Sequence, residues 1–319
     1  MLITKKTGQP KSLGLKSDGV RRVAFSVASV LLAVVIGGIL LKLFGLSVWA
    51  GLSGLAVGSF GSLAAIDTTL FMATPIISTG LAVAIAQQAG LFNVGAEGQL
   101  YFGAFAATLV GIYWGDLPPI VVVPVAFIVG AIAGAALAAV AAALKNWLGA
   151  HEVITTIMLN FVAIEFTSYL VNYHFQAPGG LAPQTPEIGP GAVLSPLFRG
   201  YQISGMLLIA ICLLGVYALM MYRSRLGFEI RAVGASTGAS EAAGINPYRT
   251  RMLAMVLSGA FAGLAGAGEV LGNFGRFIDR FSPGYGFDGV TVAIMGQGHP
   301  LGILAGALEI GRASCRERV

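Results

Sequence analysis

The chain has 319 residues, of which 56% are hydrophobic and 10% are charged, and its mean hydropathy is +0.83. Soluble globular domains carry about 25% charged residues, so this composition excludes an ordinary soluble protein. The formal net charge of +5 does not indicate nucleic-acid binding, because most Lys and Arg residues lie between apolar segments, as the positive-inside rule for membrane proteins describes.

The apolar segments are long enough to cross a bilayer, which takes about 20 helical residues. Since backbone polar groups must be satisfied within lipid, the predicted fold class is all-α, a polytopic transmembrane helical bundle of about eight spans. In chain order we predict seven spans at about 23–46, 69–89, 100–114, 120–144, 153–171, 202–221 and 252–271. The eighth starts near Val290 and is cut by residues 296–300.

The two ends of the chain differ from this pattern. Residues 1–22 are polar and carry six Lys or Arg, which predicts a cytoplasmic leader before a permease domain at 23–308. Residues 309–319, EIGRASCRERV, resemble the in-frame translation of a sequencing adapter. We therefore expect a non-native tail and a chain truncated at its C-terminus. The alternative is a genuine basic cytoplasmic tail.

Charge distribution predicts the topology. With the N-terminus inside, the intervals 1–22, 145–150 and 223–251 hold twelve Lys or Arg, against three on the other side. The positive-inside rule therefore predicts a cytoplasmic N-terminus and a cytoplasmic 223–251 segment.

The 223–251 segment is the longest polar interval after the leader, and it carries five arginines. Gly238 is a possible N-cap with Glu241 three residues on, Ala242 and Ala243 favour helix, and Gly244 suits a C-cap. This predicts a short exposed helix at about 238–243. Two interpretations remain open: a helix that docks into a partner, oriented by Arg231, or a solvated loop whose arginines only set topology.

The stretch GFEIRAVGASTGASEAAGIN resembles the coupling loop of permease subunits of ABC importers for simple sugars and nucleosides. Three further stretches are similar to that family: GLFNVGAEGQLYFGAF, HEVITTIMLNFVA and GFDGVTVAIMGQGHPLGILAGAL. The resemblance covers most of 69–308, and the GLFNVGAEGQ form is closer to the nucleoside branch. It departs from the family's usual loop at 236–240, where Asn-Pro and paired alanines are expected.

The resemblance implies a permease in a bacterial-type cell membrane that takes up nucleosides or related simple sugars. It also implies a separate ABC ATPase, a second permease subunit, identical or different, and an extracytoplasmic binding protein or lipoprotein. The residues implied in ATPase coupling are Arg231, Gly234, Gly238, Glu241, Ala242, Ala243 and Gly244. Two alternatives stay open, a branched-chain amino acid ABC permease and an ion-coupled secondary transporter.

Two polar stretches are candidates for the substrate pathway. Asn93, Glu97 and Gln99 interrupt the apolar pattern within 90–100, either as a helix break at the pathway or as a tight cytoplasmic turn. Thr156 and Asn160 share one helical face. They could contact substrate, or they could only make interhelical hydrogen bonds.

Other functional signals are few. No phosphate-binding loop of the G-x-x-x-x-G-K-[ST] type is present, so ATP hydrolysis is assigned to a partner and the chain is not expected to be an enzyme. His151, His174 and His299 do not have metal-ligand spacing, and no metal or cofactor is expected. Glu269 is expected to reach the membrane interface.

Overall fold

The computed structural model describes residues 32, 35–45, 47–51, 53, 61–179, 182–198 and 200–314. The predicted leader, the start of the first predicted span and the last residues of the tail lie outside this part. The chain divides into two compact units, residues 1–61 and 62–319. In the first unit, residues 35–43 and 48–51 are helical.

The second unit confirms the all-α prediction, since its described residues form helices and only isolated β-bridges. The described residues from 62 onward form ten α-helices: α1 (Leu63–Gln88), α2 (Ala96–Trp114), α3 (Pro119–Leu148), α4 (Glu152–Tyr173), α5 (Met206–Arg223), α6 (Arg225–Ala235), α7 (Thr237–Ala242), α8 (Pro247–Glu269), α9 (Tyr285–Met295) and α10 (Pro300–Ser314). A π-helical turn, Val270–Phe274, continues α8.

Five of the described helices are long and apolar enough to cross a membrane, namely α1, α3, α4, α5 and α8 with its π-helical turn. The predicted eighth span is indeed cut, because α9 ends at Met295 and α10 begins at Pro300. Helix α1, the second predicted span, starts at Leu63 and not near residue 69, since Ser62 accepts a hydrogen bond from the Ala65 amide as its N-cap. The last helix continues through the first residues of the predicted tail.

Helix α8 lies at the centre of the bundle and packs mainly against α3, α2 and α1. Its glycines face glycines of α3: a Cβ on Gly134 would lie 2.8 Å from the Gly263 Cα. Because that distance is too short for any side chain, the two backbones touch directly. Helices α3 and α8 therefore pack through small residues, a common mode of helix packing in membranes.

The helix ends define two sides of the bundle. On one side, Asn146 at the end of α3 donates to the Tyr248 carbonyl at the start of α8 (3.1 Å), and Lys145 pairs with Glu152 (2.7 Å). We call this the basic side, because it also carries the segment 223–251. On the opposite side, the Gln202 amide donates to Asp67 near the start of α1 (2.8 Å).

The segment between α8 and α9 begins on the opposite side. The Thr185 amide of the α4–α5 connection donates to the Phe277 carbonyl (2.9 Å), which fixes this segment against that connection. Arg276 and Arg280 therefore lie on the side away from the arginines of 223–251. This separation agrees with the charge distribution in the sequence, which predicts that these two arginines and the 223–251 segment lie on different sides of the membrane.

Candidate functional site

The segment after α5 folds into two successive helices. Ser224 caps α6 by accepting from the Gly227 amide (3.0 Å), and Ser236 caps α7 by accepting from the Ala239 amide (3.3 Å). The short helix predicted at about 238–243 is confirmed as α7, Thr237–Ala242. Its N-cap is Ser236 and not Gly238, because the serine hydroxyl satisfies an amide that glycine cannot.

Sequence reasoning missed α6. The signal is present, since a serine cap precedes Gly227, Ile230 and Val233, which are spaced by three and all buried. The charged residues Arg225, Glu229 and Arg231 hide this signal, because they make the stretch look like part of a polar interval. Helix α7 therefore directly follows a packed helix, α6, and does not follow a long loop.

The outer surface of α7 is open to solvent. Of its residues only Ser240 is buried. Gly238, Glu241, Ala242, Ala243 and Gly244 are all exposed, and Gly244 turns the chain with φ +80°. A short capped helix of small residues with a free face offers a contact surface of fixed geometry.

The inner surface of α6 touches the end of α1. A Cβ on Gly234 would overlap the Gln88 carbonyl oxygen, and a Cβ on Gly90 would lie 3.4 Å from the Gly234 Cα. The two backbones are thus in direct contact. A displacement of α6 would act on the turn after α1 without an intervening side chain.

Helix α5 links α6 to the turn between α9 and α10, because Tyr222 contacts α6 and its hydroxyl donates to the Gly298 carbonyl at 3.4 Å. The Arg231 guanidinium carbon lies 5.2 Å from the centre of the Tyr222 ring, within the range of a cation–π interaction. Its Nη1 atom is buried and has no hydrogen-bond partner among the described residues. On the preceding helix, the Tyr217 hydroxyl donates to the Gly298 carbonyl at 2.6 Å.

The turn after α1 runs back into the bundle. Asn93 Nδ2 donates to Gln99 Oε1 (2.8 Å) and to the Ser258 hydroxyl (2.8 Å), and that hydroxyl donates to the Ala82 carbonyl (2.6 Å). Ala82 lies about 9 Å before the end of α1, at 1.5 Å per residue. The 90–95 stretch is therefore a re-entrant segment and not a turn confined to the basic side.

Helix α4 holds the re-entrant segment through Asn160. Its Nδ2 donates to the Val94 carbonyl, and its Oδ1 accepts from the Gly98 amide, both at 2.8 Å. Thr156 lies on the same face, fully buried, and donates to the Glu152 carbonyl at 2.7 Å. The shared face predicted for these two residues is confirmed.

Glu97 links two helix starts inside the bundle. Its carboxylate accepts a 2.5 Å hydrogen bond from the Gly286 amide, in the first turn of α9. The Thr79 hydroxyl donates to the Tyr285 carbonyl at 2.8 Å, and Thr79 lies about 14 Å before the end of α1. Helices α2 and α9 therefore begin at mid-depth, from where α2 runs to the opposite side and α9 to the basic side.

The five pathway candidates, Asn93, Glu97, Gln99, Thr156 and Asn160, are thus brought together around one segment. Each is at most 3% exposed, and each is hydrogen-bonded within the chain. Their direct role is to hold a broken part of the bundle in place. Contact with a substrate stays a prediction.

The expectation for Glu269 is wrong. This residue is fully buried, and its Oε1 accepts from Asn273 Nδ2 at 2.8 Å. The reason is that the end of α8 and the π-helical turn after it lie inside the bundle and not at its surface.

These features define a membrane permease with a rigid exposed element on one side and broken segments at mid-depth. Residues 65–314 match the family model described as branched-chain amino acid transport system / permease component. Because the match covers most of the chain, the protein belongs to this family.

Among similar proteins, the nucleoside ABC transporter permease protein NupB of Lactococcus lactis is 34% identical over 90% of this chain and 82% of its own length. The guanosine ABC transporter permease protein NupP of Bacillus subtilis is 36% identical over 89% of this chain and 82% of its own. The glucose ABC transporter permease protein TsgB13 of Haloferax volcanii is 35% identical over 85% of this chain and 74% of its own length. No solved structure matches the chain.

Proposed function

We propose that this chain is the permease subunit of an ATP-driven importer that takes up nucleosides or related simple sugars, powered by a separate ATPase that docks on α7. The observation that carries the proposal is the arrangement of the coupling segment. Helix α7 is exposed, and the α6 helix behind it touches the turn after α1 through Gly234 and lies beside Tyr222 through Arg231.

The similar proteins support the substrate class. NupB and NupP are named for nucleosides and guanosine, and TsgB13 for glucose. The family description names branched-chain amino acids, which keeps a branched-chain amino acid permease as the second candidate. Since the relatives named for a substrate at 34–36% identity are nucleoside and sugar permeases, we favour that class.

We place the basic side in the cytoplasm, because Lys and Arg accumulate on the cytoplasmic side of membrane proteins. The N-terminus then lies in the cytoplasm of a bacterial-type cell, and α7 meets the ATPase there. On the other side, an extracytoplasmic binding protein or lipoprotein delivers substrate. A second permease subunit, identical or different, completes the transmembrane part.

The contacts of α6 suggest how ATP binding changes access to the pathway. Closure of the ATPase pair displaces α7 and α6 together. Gly234 acts on the turn at 88–90, which leads into the re-entrant segment. Helix α5 holds the α9–α10 turn through Tyr217 and Gly298. The first turn leads to the start of α2, and the second turn is joined to the start of α9 through the length of α9. Glu97 and Gly286 connect these two helix starts, where a small shift would open or close the middle of the bundle. Such coupling needs two states that nucleotide and substrate bias differently.

The proposal is tested with the whole transporter in proteoliposomes. ATP-dependent uptake of labelled uridine or guanosine should exceed uptake of leucine and should require the ATPase subunit. Uptake of leucine alone would favour the branched-chain amino acid permease. Uptake driven by an ion gradient without the ATPase would contradict the proposal and support a secondary transporter.

A further inference from the structure

The exposed face of α4 changes character along its length. In its first part the exposed large side chains are apolar, namely Ile154, Met158, Phe161 and Val162. In its last part Glu165, Ser168, Tyr169, Asn172 and Tyr173 line a cleft of about 450 Å³. Their spacing of three and four residues places these five side chains on one helical face.

The depth of this cleft shows what it faces. Helix α4 has 22 residues, about 33 Å at 1.5 Å per residue, and Glu165 lies about 12 Å before its end. Lipid would border the polar face at that depth if nothing else did. Ionisable groups within a membrane face water-filled cavities or protein, because exposure to lipid is costly. This end of α4 therefore faces a water-filled space or another subunit.

The polar groups of the cleft are held by the segment before α9. Glu165 pairs with Arg280 at 2.5 Å, and the Ser168 hydroxyl donates to Asp279 Oδ2 at 3.1 Å. The other carboxylate oxygen of Asp279 is buried without a hydrogen-bond partner among the described residues. The carboxylates of Glu165 and Asp279 and the single guanidinium of Arg280 give the cleft and its rim a net negative charge, which disfavours anionic ligands.

Two tyrosines provide the apolar part of the cleft. The rings of Tyr169 and Tyr173 lie 5.1 Å apart between their centres and are inclined by 35°. Tyr173 is 75% exposed and Tyr169 is 51% exposed, so both rings present surface to the cleft. A planar base can stack on such a surface.

We propose that this cleft on α4 is an entry site for a neutral nucleoside on the side opposite α7. The base lies against Tyr169 and Tyr173, and the ribose hydroxyls hydrogen-bond with Glu165 and Asn172. A branched-chain amino acid has no ring to stack, and a nucleotide brings an anionic phosphate to a negative rim. This inference rests on the proposed function, and it names where the substrate class is first recognised.

Cysteine labelling in the complete transporter tests the site. In a background with Cys212→Ser and Cys315→Ser, Asn172→Cys is treated with a cationic, membrane-impermeant thiol reagent, and Phe161→Cys on the apolar part of the same helix is the matched control. Asn172→Cys should react roughly tenfold faster, since thiol reactivity requires solvent access. Saturating uridine or guanosine should slow that reaction, whereas leucine and uridine monophosphate should not.

A transport measurement tests the aromatic surface separately. Tyr173→Leu should raise the KM for nucleoside uptake roughly tenfold, the loss expected from one stacking contact. Tyr113→Leu, an exposed tyrosine at the end of α2, should leave KM unchanged.

Three results would overturn the inference: an unreactive Asn172→Cys, labelling that nucleosides do not slow, or equal KM values for the two tyrosine variants. Failure of the proposed function would be seen in a different measurement, because the wild-type transporter would then take up neither nucleoside nor sugar with ATP. The labelling experiment does not require transport, so its result can be obtained whether or not the wild-type transporter is active.

Discussion

The Gly234 backbone of α6 lies directly against Gly90, with only 3.4 Å between a Cβ built on Gly90 and the Gly234 Cα. This contact brings the exposed α6–α7 element together with the entrance to the re-entrant segment. It leaves no space for a side chain on Gly234, because a Cβ there would overlap the Gln88 carbonyl. A displacement of α6 would therefore act on the end of α1 through a close approach of two backbones.

The first prediction concerns this approach. Gly234→Ala should displace α6 from the end of α1 and destabilise the protein by about 1–3 kcal/mol, the usual cost of overpacking. Substrate-stimulated ATP hydrolysis should fall in parallel. The control is Gly215→Ala in α5, where a Cβ meets nothing within 4 Å. Equal thermal unfolding and equal ATPase stimulation in the two variants would argue against a tight contact.

The second prediction compares the contributions of two arginines of α6 to stability. Arg231 lies over the Tyr222 ring, whereas the Arg225 side chain is 92% exposed and pairs with Glu229. Arg231→Ala should cost about 0.5–2 kcal/mol of stability, and Arg225→Ala at most about 1 kcal/mol, as for exposed ion pairs. Thermal unfolding in detergent measures both. A larger effect from Arg225→Ala would show that the ring contact is unimportant.

The third prediction concerns the hydrogen bond between Glu97 at the start of α2 and Gly286 at the start of α9. Glu97→Ala leaves the Gly286 amide buried and unpaired, which should cost about 1–3 kcal/mol. Glu97→Gln keeps an oxygen that can accept this hydrogen bond and should cost less. Thermal unfolding of the two variants, followed by nucleoside uptake, makes the comparison. If both variants unfold like the wild type, the link between α2 and α9 does not hold the bundle together.

The fourth prediction concerns Asn160. Its side chain bonds both the Val94 carbonyl and the Gly98 amide, so no single replacement keeps both contacts. Asn160→Asp should retain the bond to the amide and lose the bond to the carbonyl, while Asn160→Ala loses both. Stability should therefore decrease in the order wild type, Asp variant, Ala variant, by about 1 kcal/mol or more per lost bond. An Asp variant less stable than the Ala variant would indicate that the buried charge dominates.

Local patterns in the sequence predict much of this fold. The apolar segments, the cut before Pro300 and the helix around Ser240 all follow from composition, caps and glycines within a few residues. Contacts between residues that are far apart in the sequence cannot be predicted in this way. Asn93 meets Ser258 and Asn160 meets Val94 across the bundle, and no local pattern encodes such pairs. For the same reason, the sequence placed Glu269 at an interface although neighbouring helices bury it.

The site was predicted unevenly. The exposed residues of α7 could be found because this short helix has its own cap and its sequence resembles the family's motif. The polar residues at 93–99 were identified as unusual at membrane depth, but their hydrogen bonds within the chain could not be foreseen. The cleft at the end of α4 was missed, because Glu165 stands in an apolar context and its partner Arg280 is distant in sequence.

The central claim, that α7 receives the ATPase, is tested most directly by Ala242→Arg. Ala242 is exposed, so the variant should unfold at the same temperature as the wild type. A large cation on this small-residue face should prevent docking, and the reconstituted transporter should lose substrate-stimulated ATP hydrolysis and nucleoside uptake together. An Ala242→Arg transporter with unchanged stability, ATPase stimulation and uptake would contradict the account.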